Sequence, residues 1–350
     1  MIRSSIIAIA LVSLAGCMTL DDEPVATAPA SPEAILGVHH VGVTVSDIDD
    51  TVAFYSTVVD FEVVEREMVD ASAFPAEILN KRDGQIEMAL IRTPTVFLVL
   101  TDIEPGVEAE PDRRPVIGPG YTHICWQTHA DNSGYKRFRE AGLKMLSRGD
   151  DAVDLGGYGV TYAYGFDPDG IMIEMEQLER PRRQDDAWLT HIANVPSDKA
   201  AMVDFYTKIL GYGPHRELPQ TRLETIDDVV DIDGTVVTAS WFATWNFELE
   251  FWNYENPVTP LSPTDWTLER IGYNSLSFEV TDLAGTIARL EPQGIEFAGP
   301  AFELGGWQVR YARDPEGNLL AFQQNISAGN DRSIHEMRWH DPASYPLPPL

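Results

Sequence analysis

The chain repeats one pattern of residues at a nearly constant spacing, and this duplication limits the folds open to its 350 residues. His40 and the pair Phe54-Tyr55 recur 151 residues later as His191 and Phe205-Tyr206. Two further pairs share almost the same spacing: Gly120-Tyr121 with Gly272-Tyr273, and Asp167-Pro168-Asp169-Gly170 with Asp314-Pro315-Glu316-Gly317. Self-similarity of this kind indicates two copies of one structural module.

Each copy divides again into two units with the order strand, helix and three strands. In the first copy, Ser46-Asp47 is a typical helix start, and apolar residues follow it at helical spacing. The same order returns after Gly120, where an Asp-Pro-Asp-Gly turn leads into the last strand. We therefore predict an α+β fold of four βαβββ units, paired into two tandem cup-shaped modules at residues 36–180 and 187–326. Each cup is expected to join the two units of one copy, and residues 327–350 form a Pro-rich tail.

Three strand-like segments place a potential ligand on the face opposite their apolar residues. His40 alternates with valines, His123 alternates with Ile124 and Trp126, and Glu174 alternates with Ile173 and its apolar neighbours. Two imidazoles and one carboxylate that converge on a concave face form a divalent-metal site with open positions.

The quoted motifs resemble those of the vicinal oxygen chelate superfamily, which includes glyoxalase I, extradiol dioxygenases and bleomycin-resistance proteins. The resemblance rests on His40-Val-Gly-Val-Thr-Val with Phe54-Tyr55, and on Phe166-Asp-Pro-Asp-Gly with Glu174. It implies that His40, His123 and Glu174 are the metal ligands, in agreement with the strand pattern. Fe(II) suits this ligand set best, with Mn(II), Zn(II) and Ni(II) as alternatives.

Two reaction classes within that superfamily remain open. Glyoxalase I adds an acidic ligand near the end of the first unit, where this chain has Val99. Extradiol dioxygenases carry a tyrosine ten residues before the metal glutamate, and Tyr164 takes that place as a candidate catalytic residue. The histidine that precedes this tyrosine in those enzymes has no counterpart here.

The second copy keeps only part of the expected ligand set. His191 is present, but Ser275 and Ala321 stand where the other two ligands would be. Glu250 and Glu279 are alternative partners for His191 on neighbouring strands, whereas our preferred interpretation is a metal-free scaffold.

From the first copy we predict a metal-dependent enzyme acting on a small substrate with adjacent oxygens. The alternative is a non-catalytic binding protein of the bleomycin-resistance type.

The N-terminus and the composition predict the compartment. A basic start and an apolar run precede Leu14-Ala15-Gly16-Cys17, which resembles a bacterial lipobox. We expect a signal peptide at residues 1–17, a lipidated Cys17, a flexible tether at 18–35 and a periplasmic location, with the outer membrane as the expected anchor. A formal charge of −30 argues against nucleic acid as a partner.

Overall fold

The computed structural model describes residues 35–59, 61–103, 115–130, 134–149, 151–157, 159–181, 183–327 and 332–334. Cys17, and with it the predicted lipid anchor, lies outside these residues. No helix within the described ranges is both long enough and apolar enough to cross a membrane.

Four βαβββ units follow one another along the chain, as the sequence predicts. Unit one consists of β1 (Ile35–Thr44), α1 (Ile48–Ser56), β2 (Glu62–Asp70), β3 (Gln85–Arg92) and β4 (Phe97–Ile103). Unit two consists of β5 (Gly120–His129), α2 (Gly134–Glu140), β6 (Lys144–Met145), β7 (Val153–Asp154), β8 (Val160–Phe166) and β9 (Met172–Leu178). Unit three consists of β10 (Ala187–Val195), α3 (Lys199–Leu210), β11 (Arg216–Thr221), α4 (Glu224–Val230), β12 (Val236–Ala243) and β13 (Glu248–Asn256). Unit four consists of β14 (Gly272–Val280), α5 (Leu283–Leu290), β15 (Phe297–Leu304), β16 (Trp307–Arg313) and β17 (Leu319–Asn325).

The helices that follow the first strands of units one, three and four begin with the same device. The carboxylates of Asp47, Asp198 and Asp282 accept hydrogen bonds of 2.9–3.0 Å from the backbone N–H three residues later. An aspartate at this position satisfies one of the N–H groups that the first turn of a helix leaves unpaired. The repeated local sequence therefore starts a helix at the same point of three units.

The units join through their first strands into two curled sheets. Sheet A has eight strands in the order β15-β16-β17-β14-β1-β4-β3-β2, and it contains units four and one. Sheet B has the order β11-β12-β13-β10-β5-β9-β8-β6, with β7 paired to β8, and it contains units three and two. Strands β1 and β14 meet antiparallel at the centre of sheet A, as β5 and β10 do in sheet B.

The fold class is confirmed, but the pairing of units differs from the expectation. Each sheet takes one unit from each copy, so the units of one copy lie in different sheets. Within every unit the first strand lies at one edge of that unit's strands, so its outer edge can pair with the first strand of another unit. The equivalent edges of four similar units leave several pairings open, and the sequence pattern does not choose among them.

Contacts between the repeated motifs hold the two units of each copy against each other. The hydroxyl of Tyr55 in unit one donates to Asp167 in the turn of unit two, at 3.1 Å. The hydroxyl of Tyr206 in unit three reaches Asp314 in the turn of unit four, at 3.5 Å. The Phe-Tyr pair and the Asp-Pro-x-Gly turn are thus two halves of one interaction across the core between the sheets.

Candidate metal centre

Four buried side chains converge at the centre of sheet B. They are His123 on β5, Glu174 on β9, His191 on β10 and Glu250 on β13, and each is at most 7% exposed. One ligand atom from each residue lies within 4.8 Å of the corresponding atoms of the others. Two imidazoles and two carboxylates from four adjacent strands therefore surround a common point.

Strand register explains why these residues meet. Glu174 lies opposite Cys125 on β5, and Glu250 lies opposite Ala193 on β10, so each acid is displaced by two residues from its histidine's position. The register between β5 and β10 also shifts on both sides of this region, which places Thr190-His191 in a bulge opposite Cys125. Bulges of this kind commonly redirect side chains beside functional sites.

The four ligand atoms are close together, yet most of them lack a hydrogen-bond partner. Nε2 of His191 lies 2.9 Å from Oε2 of Glu174 and 3.3 Å from Oε2 of Glu250. Nε2 of His123 lies 3.5 Å and 3.7 Å from the same two oxygens. Nε2 of both histidines and Oε2 of Glu174 are buried and make no hydrogen bond of suitable geometry. Buried polar atoms without partners are rare, and a shared ion is one explanation for a group of them.

A threonine holds each histidine from the opposite side of its ring. Thr122 Oγ1 lies 3.1 Å from Nδ1 of His123, and Thr190 Oγ1 lies 3.1 Å from Nδ1 of His191. A neutral imidazole that donates its Nδ1–H to such a hydroxyl presents an unprotonated Nε2 to the centre. This is the arrangement expected of an oriented metal-binding histidine.

The indole of Trp241 holds Glu250 in the same way. Its Nε1–H donates to Oε1 of Glu250 at 2.9 Å, which leaves Oε2 directed at the histidines. Burial alone raises the pKa of Glu250, but the facing imidazoles of His191 and His123 lower it below its ordinary value. Burial lowers the pKa of His123, but the two carboxylates outweigh it and raise that pKa. The charges of the four groups therefore stabilise one another.

The donor set fits a divalent cation. Imidazole nitrogen and carboxylate oxygen suit Fe(II), Mn(II), Zn(II) and Ni(II), and four protein donors leave two positions open on a six-coordinate ion. The orphaned atoms of His123, His191 and Glu174 face the same point, which is where such an ion would satisfy them.

Apolar and aromatic side chains surround the centre on the concave face of sheet B. The ring of Tyr164 lies 4.8 Å from that of His123, centroid to centroid, and is buried. Tyr164 belongs to an apolar cluster with Tyr254 and with Ile226 and Val229 of α4. Helix α4 therefore packs against the apolar side chains beside the centre.

The structure brings together two of the three ligands that the sequence predicts. His123 and Glu174 meet, but His40 lies on β1 of sheet A, where it pairs with Ser277 and Phe97. Of the described residues, those that form clusters of three or more potential ligands do not include His40. The predicted set of three therefore does not assemble, because the sheet that contains His123 and Glu174 is completed by unit three.

Sequence reasoning considered the two remaining residues but did not select them. The sequence pattern favours a metal-free scaffold around His191, with Ser275 and Ala321 in the expected ligand places and Glu250 only as an alternative partner. In the structure Ser275 and Ala321 belong to sheet A. The one local signal for His191 is the dipeptide Thr-His, which occurs at 122–123 and at 190–191 but also at 128–129, and it does not mark Glu250.

Comparisons with solved structures show the same overall fold. Glyoxalase I from Zea mays superposes with a TM-score of 0.57 at 16% identity, over 84% of this chain and 92% of that chain. A candidate dioxygenase from Bacillus subtilis superposes with a TM-score of 0.54 at 13% identity, over 87% of this chain and 90% of that chain. At these identities the likeness concerns the fold alone.

Sequence comparisons agree with the duplication. No curated protein matches the chain. The family model of the Glyoxalase/Bleomycin resistance protein/Dioxygenase superfamily matches twice, over residues 37–175 and 188–322. These two matches cover most of the chain, which therefore belongs to this superfamily of metal-dependent enzymes and small-molecule binding proteins.

Proposed function

We propose that His123, Glu174, His191 and Glu250 bind one catalytic divalent metal ion, and that the protein is a glyoxalase-like isomerase or lyase. Its substrate would be a small molecule with oxygens on adjacent carbons. The observation that carries the proposal is the convergence of four buried ligand groups, three of whose ligand atoms have no hydrogen-bond partner.

The fourth ligand favours this reaction class over ring cleavage. Val99 disfavours glyoxalase chemistry in unit one, because glyoxalase I has an acidic ligand near the end of its first unit. In sheet B that place is taken by Glu250, near the start of the last strand of unit three. By its resemblance to glyoxalase I, Glu250 is the candidate base that moves a proton between two substrate carbons.

The bound metal and the residues of the cup would have separate roles in such a reaction. A bound divalent ion supplies Lewis-acid stabilisation of negative charge on the two substrate oxygens. Trp241 keeps one oxygen of Glu250 occupied, so the other oxygen is held in place to accept a proton. The apolar cluster of Tyr164, Tyr254 and α4 excludes water, which strengthens the electrostatic effect of every charged group at the centre.

The position of Tyr164 supports a second candidate, extradiol ring cleavage of a catechol. Its ring lies beside His123, and its backbone pairs with that of Glu174 across β8 and β9. Burial raises the pKa of the Tyr164 hydroxyl, so it remains protonated at neutral pH and can act as a hydrogen-bond donor or acid. A Tyr164→Phe variant would lose catechol turnover if this candidate is correct, and it would keep isomerase turnover if the first is.

Metal content tests the ligand assignment directly. We expect about one equivalent of metal per chain after purification from a bacterial envelope, with Fe(II) as the first expectation and Mn(II), Zn(II) or Ni(II) as alternatives. His191→Ala should lose the metal, whereas the matched variant His40→Ala should keep it. Retention of metal by His191→Ala together with its loss from His40→Ala would restore the ligand set predicted from sequence and reject the one proposed here.

Proton exchange tests the reaction. In D₂O, metal-loaded protein incubated with a panel of α-hydroxyketones should exchange the carbon-bound hydrogen next to the carbonyl, observed by NMR. Glu250→Gln should suppress exchange by about 10²- to 10⁴-fold, the usual contribution of a general base. Binding without exchange or turnover, unaffected by metal removal, would instead favour the non-catalytic binding protein.

We also propose that Cys17 is lipidated and that the protein is anchored in the cell envelope, facing the periplasm. The support is the Leu14-Ala15-Gly16-Cys17 sequence after a short apolar run. Labelled palmitate should enter the wild-type protein in bacterial cells and should not enter Cys17→Ser. Equal labelling of both would reject the anchor without affecting the metal proposal.

A further inference from the structure

Sheet A forms a second cup, and an open cavity lies on its concave face. The free space between its walls, counted out to the mouth and including solvent, is about 930 Å³. The cavity occupies the place in sheet A that corresponds to the metal centre in sheet B, since His40, Val99 and Ser275 all line it. The four equivalent positions are His40, Val99, Ser275 and Ala321, so neither last strand supplies a carboxylate there.

Aromatic rings provide much of the wall. Phe74 and Phe302 approach from the connecting segments and the edge of the cup, and Trp307 and Tyr311 lie on β16. Flat rings of this kind favour an aromatic ligand, which they can contact face to face or edge to face. The cavity is therefore suited to an apolar, ring-containing molecule.

The hydrogen bonds of His39 and His40 determine which polar group the cavity presents. Nε2 of His39 lies 2.9 Å from the backbone oxygen of Arg332, which can only accept, so Nε2 carries the proton. Burial lowers the pKa of His39 to about 3, so its ring is neutral and its Nδ1 is an acceptor. That Nδ1 lies 2.9 Å from Nδ1 of His40, which must therefore donate.

The same hydrogen bonds determine whether the other ring nitrogen of His40, Nε2, donates or accepts. Burial lowers the pKa of His40 well below its ordinary value, so this ring is neutral as well. With its proton on Nδ1, its Nε2 has a free lone pair and acts as an acceptor. The chain from the Arg332 carbonyl through His39 thus turns His40 into a fixed hydrogen-bond acceptor in the cavity wall.

The charged residues of the cavity disfavour an anionic ligand. Glu65 and Glu67 line the cavity, and Arg332 forms an ion pair with Glu65. Two carboxylates with one guanidinium repel a carboxylate or phosphate ligand, and they leave an uncharged ligand unaffected.

We propose that the cavity of sheet A is a second, metal-independent binding site for an uncharged aromatic molecule with a hydroxyl group that donates to Nε2 of His40. This site differs from the metal centre in its sheet, its residues and its chemistry. It does not depend on the function proposed for sheet B.

Two matched probes test the proposal by titration calorimetry on the full chain. The first, 1-naphthol, carries a hydroxyl donor, and the second, 1-methoxynaphthalene, has the same rings without a donor. We expect one site per chain and roughly 5- to 10-fold tighter binding of 1-naphthol, the effect of about one hydrogen bond. His40→Phe should bring the two affinities to the same value.

Further variants locate the probe and guard against misfolding. Val99→Phe should weaken the binding of both probes at least about tenfold, because the added ring occupies space in the cavity that the probe would fill. Glu250→Gln, in sheet B, should leave both affinities unchanged, as should a chelator. In the wild-type protein, 1-naphthol should shift the ¹⁵N resonance of His40 Nε2, a measurement that needs no substitution.

Three outcomes would overturn the proposal. They are no saturable binding of 1-naphthol to the wild-type chain, an unchanged preference for 1-naphthol in folded His40→Phe, and loss of binding in Glu250→Gln. An unperturbed Nε2 resonance at saturation would have the same meaning even if the variants failed to fold.

Discussion

Sheets A and B are built from the same kind of unit in the same strand order, yet most of the side chains at their centres differ. In sheet B the four equivalent positions are His123, Glu174, His191 and Glu250, which converge as potential ligands. In sheet A they are His40, Val99, Ser275 and Ala321, and an open cavity lies above them. One architecture therefore supports two kinds of site, and a few side chains at the central seam decide which kind forms.

The residue before each central histidine differs as well. In sheet B it is a threonine, whose hydroxyl contacts Nδ1 of His123 or His191. In sheet A it is His39, whose Nδ1 contacts Nδ1 of His40. The threonines and His39 alike engage Nδ1 and leave Nε2 with its lone pair, but in sheet B the carboxylates of Glu174 and Glu250 lie within 3.7 Å of that nitrogen.

Metal-dependent stabilisation should show the largest difference between the sheets. A ligand that binds only the folded state at about 1,000 times its Kd adds about 4 kcal/mol to the free energy of unfolding. We expect this gain in the wild-type protein and in His40→Ala, and we expect most of it to vanish in Glu174→Ala. Urea unfolding with and without metal measures it. A full gain in Glu174→Ala would show that the metal binds elsewhere.

Removal of one threonine hydroxyl should have the next largest effect. Thr190→Val keeps the shape of the side chain but removes the partner of His191 Nδ1, and loss of such a contact typically lowers metal affinity about 10- to 100-fold. Competition with a chromophoric chelator gives the affinity. Thr44→Val is the matched control, because Thr44 is a buried, hydrogen-bonded threonine of sheet A. Equal loss in both variants would mean that Thr190 acts only through general stability.

The central seam of sheet A, between β1 and β14, should tolerate added atoms poorly. Gly42 pairs with Ser275, and a Cβ at residue 42 would lie 2.1 Å from the Ser275 hydroxyl. We expect Gly42→Ala to lower the free energy of unfolding by about 2 kcal/mol, with metal affinity unchanged. Part of this loss should return in the double variant with Ser275→Gly. A fully stable Gly42→Ala would show that the seam opens easily.

The sequence predicted what depends on local pattern. The four units, the aspartate that starts α1 and the turns at Asp167 and Asp314 follow from neighbouring residues, and the structure contains all of them. The strand positions of His123 and Glu174 were also correct, because side-chain alternation holds along β5 and β9.

The sequence could not predict what depends on which edges pair. Unit two pairs with unit three and not with unit one. In the candidate site this replaces His40 by His191 and adds Glu250, although no local sequence pattern distinguishes the two pairings. Strict alternation would also place the neighbours His39 and His40 on opposite faces of β1. The strand has a register shift between Val38 and His40, and both histidines line the cavity. A bulge depends on the partner strand and leaves no mark in the alternation.

The smallest predicted effect concerns the acid sensitivity of sheet A. The pKa of His39 is about 3 in the folded chain, because of burial, and close to 6.5 when unfolded. Between these values the unfolded state binds more protons, so His39 contributes a loss of stability as the pH falls below about 6.5. The carboxylates of sheet B raise the pKa of His191, so that residue contributes with the opposite sign in metal-free protein. In the His39→Phe variant the new ring can still pack against Phe97 and Trp307. Between pH 7 and pH 5.5 we expect its free energy of unfolding to fall by about 1 kcal/mol less than that of the wild type. Urea unfolding of both metal-free proteins at the two pH values measures this difference. Equal losses of stability in the two proteins would mean that His39 accepts a proton in the folded state. The neutral hydrogen-bond chain to His40 would then not exist.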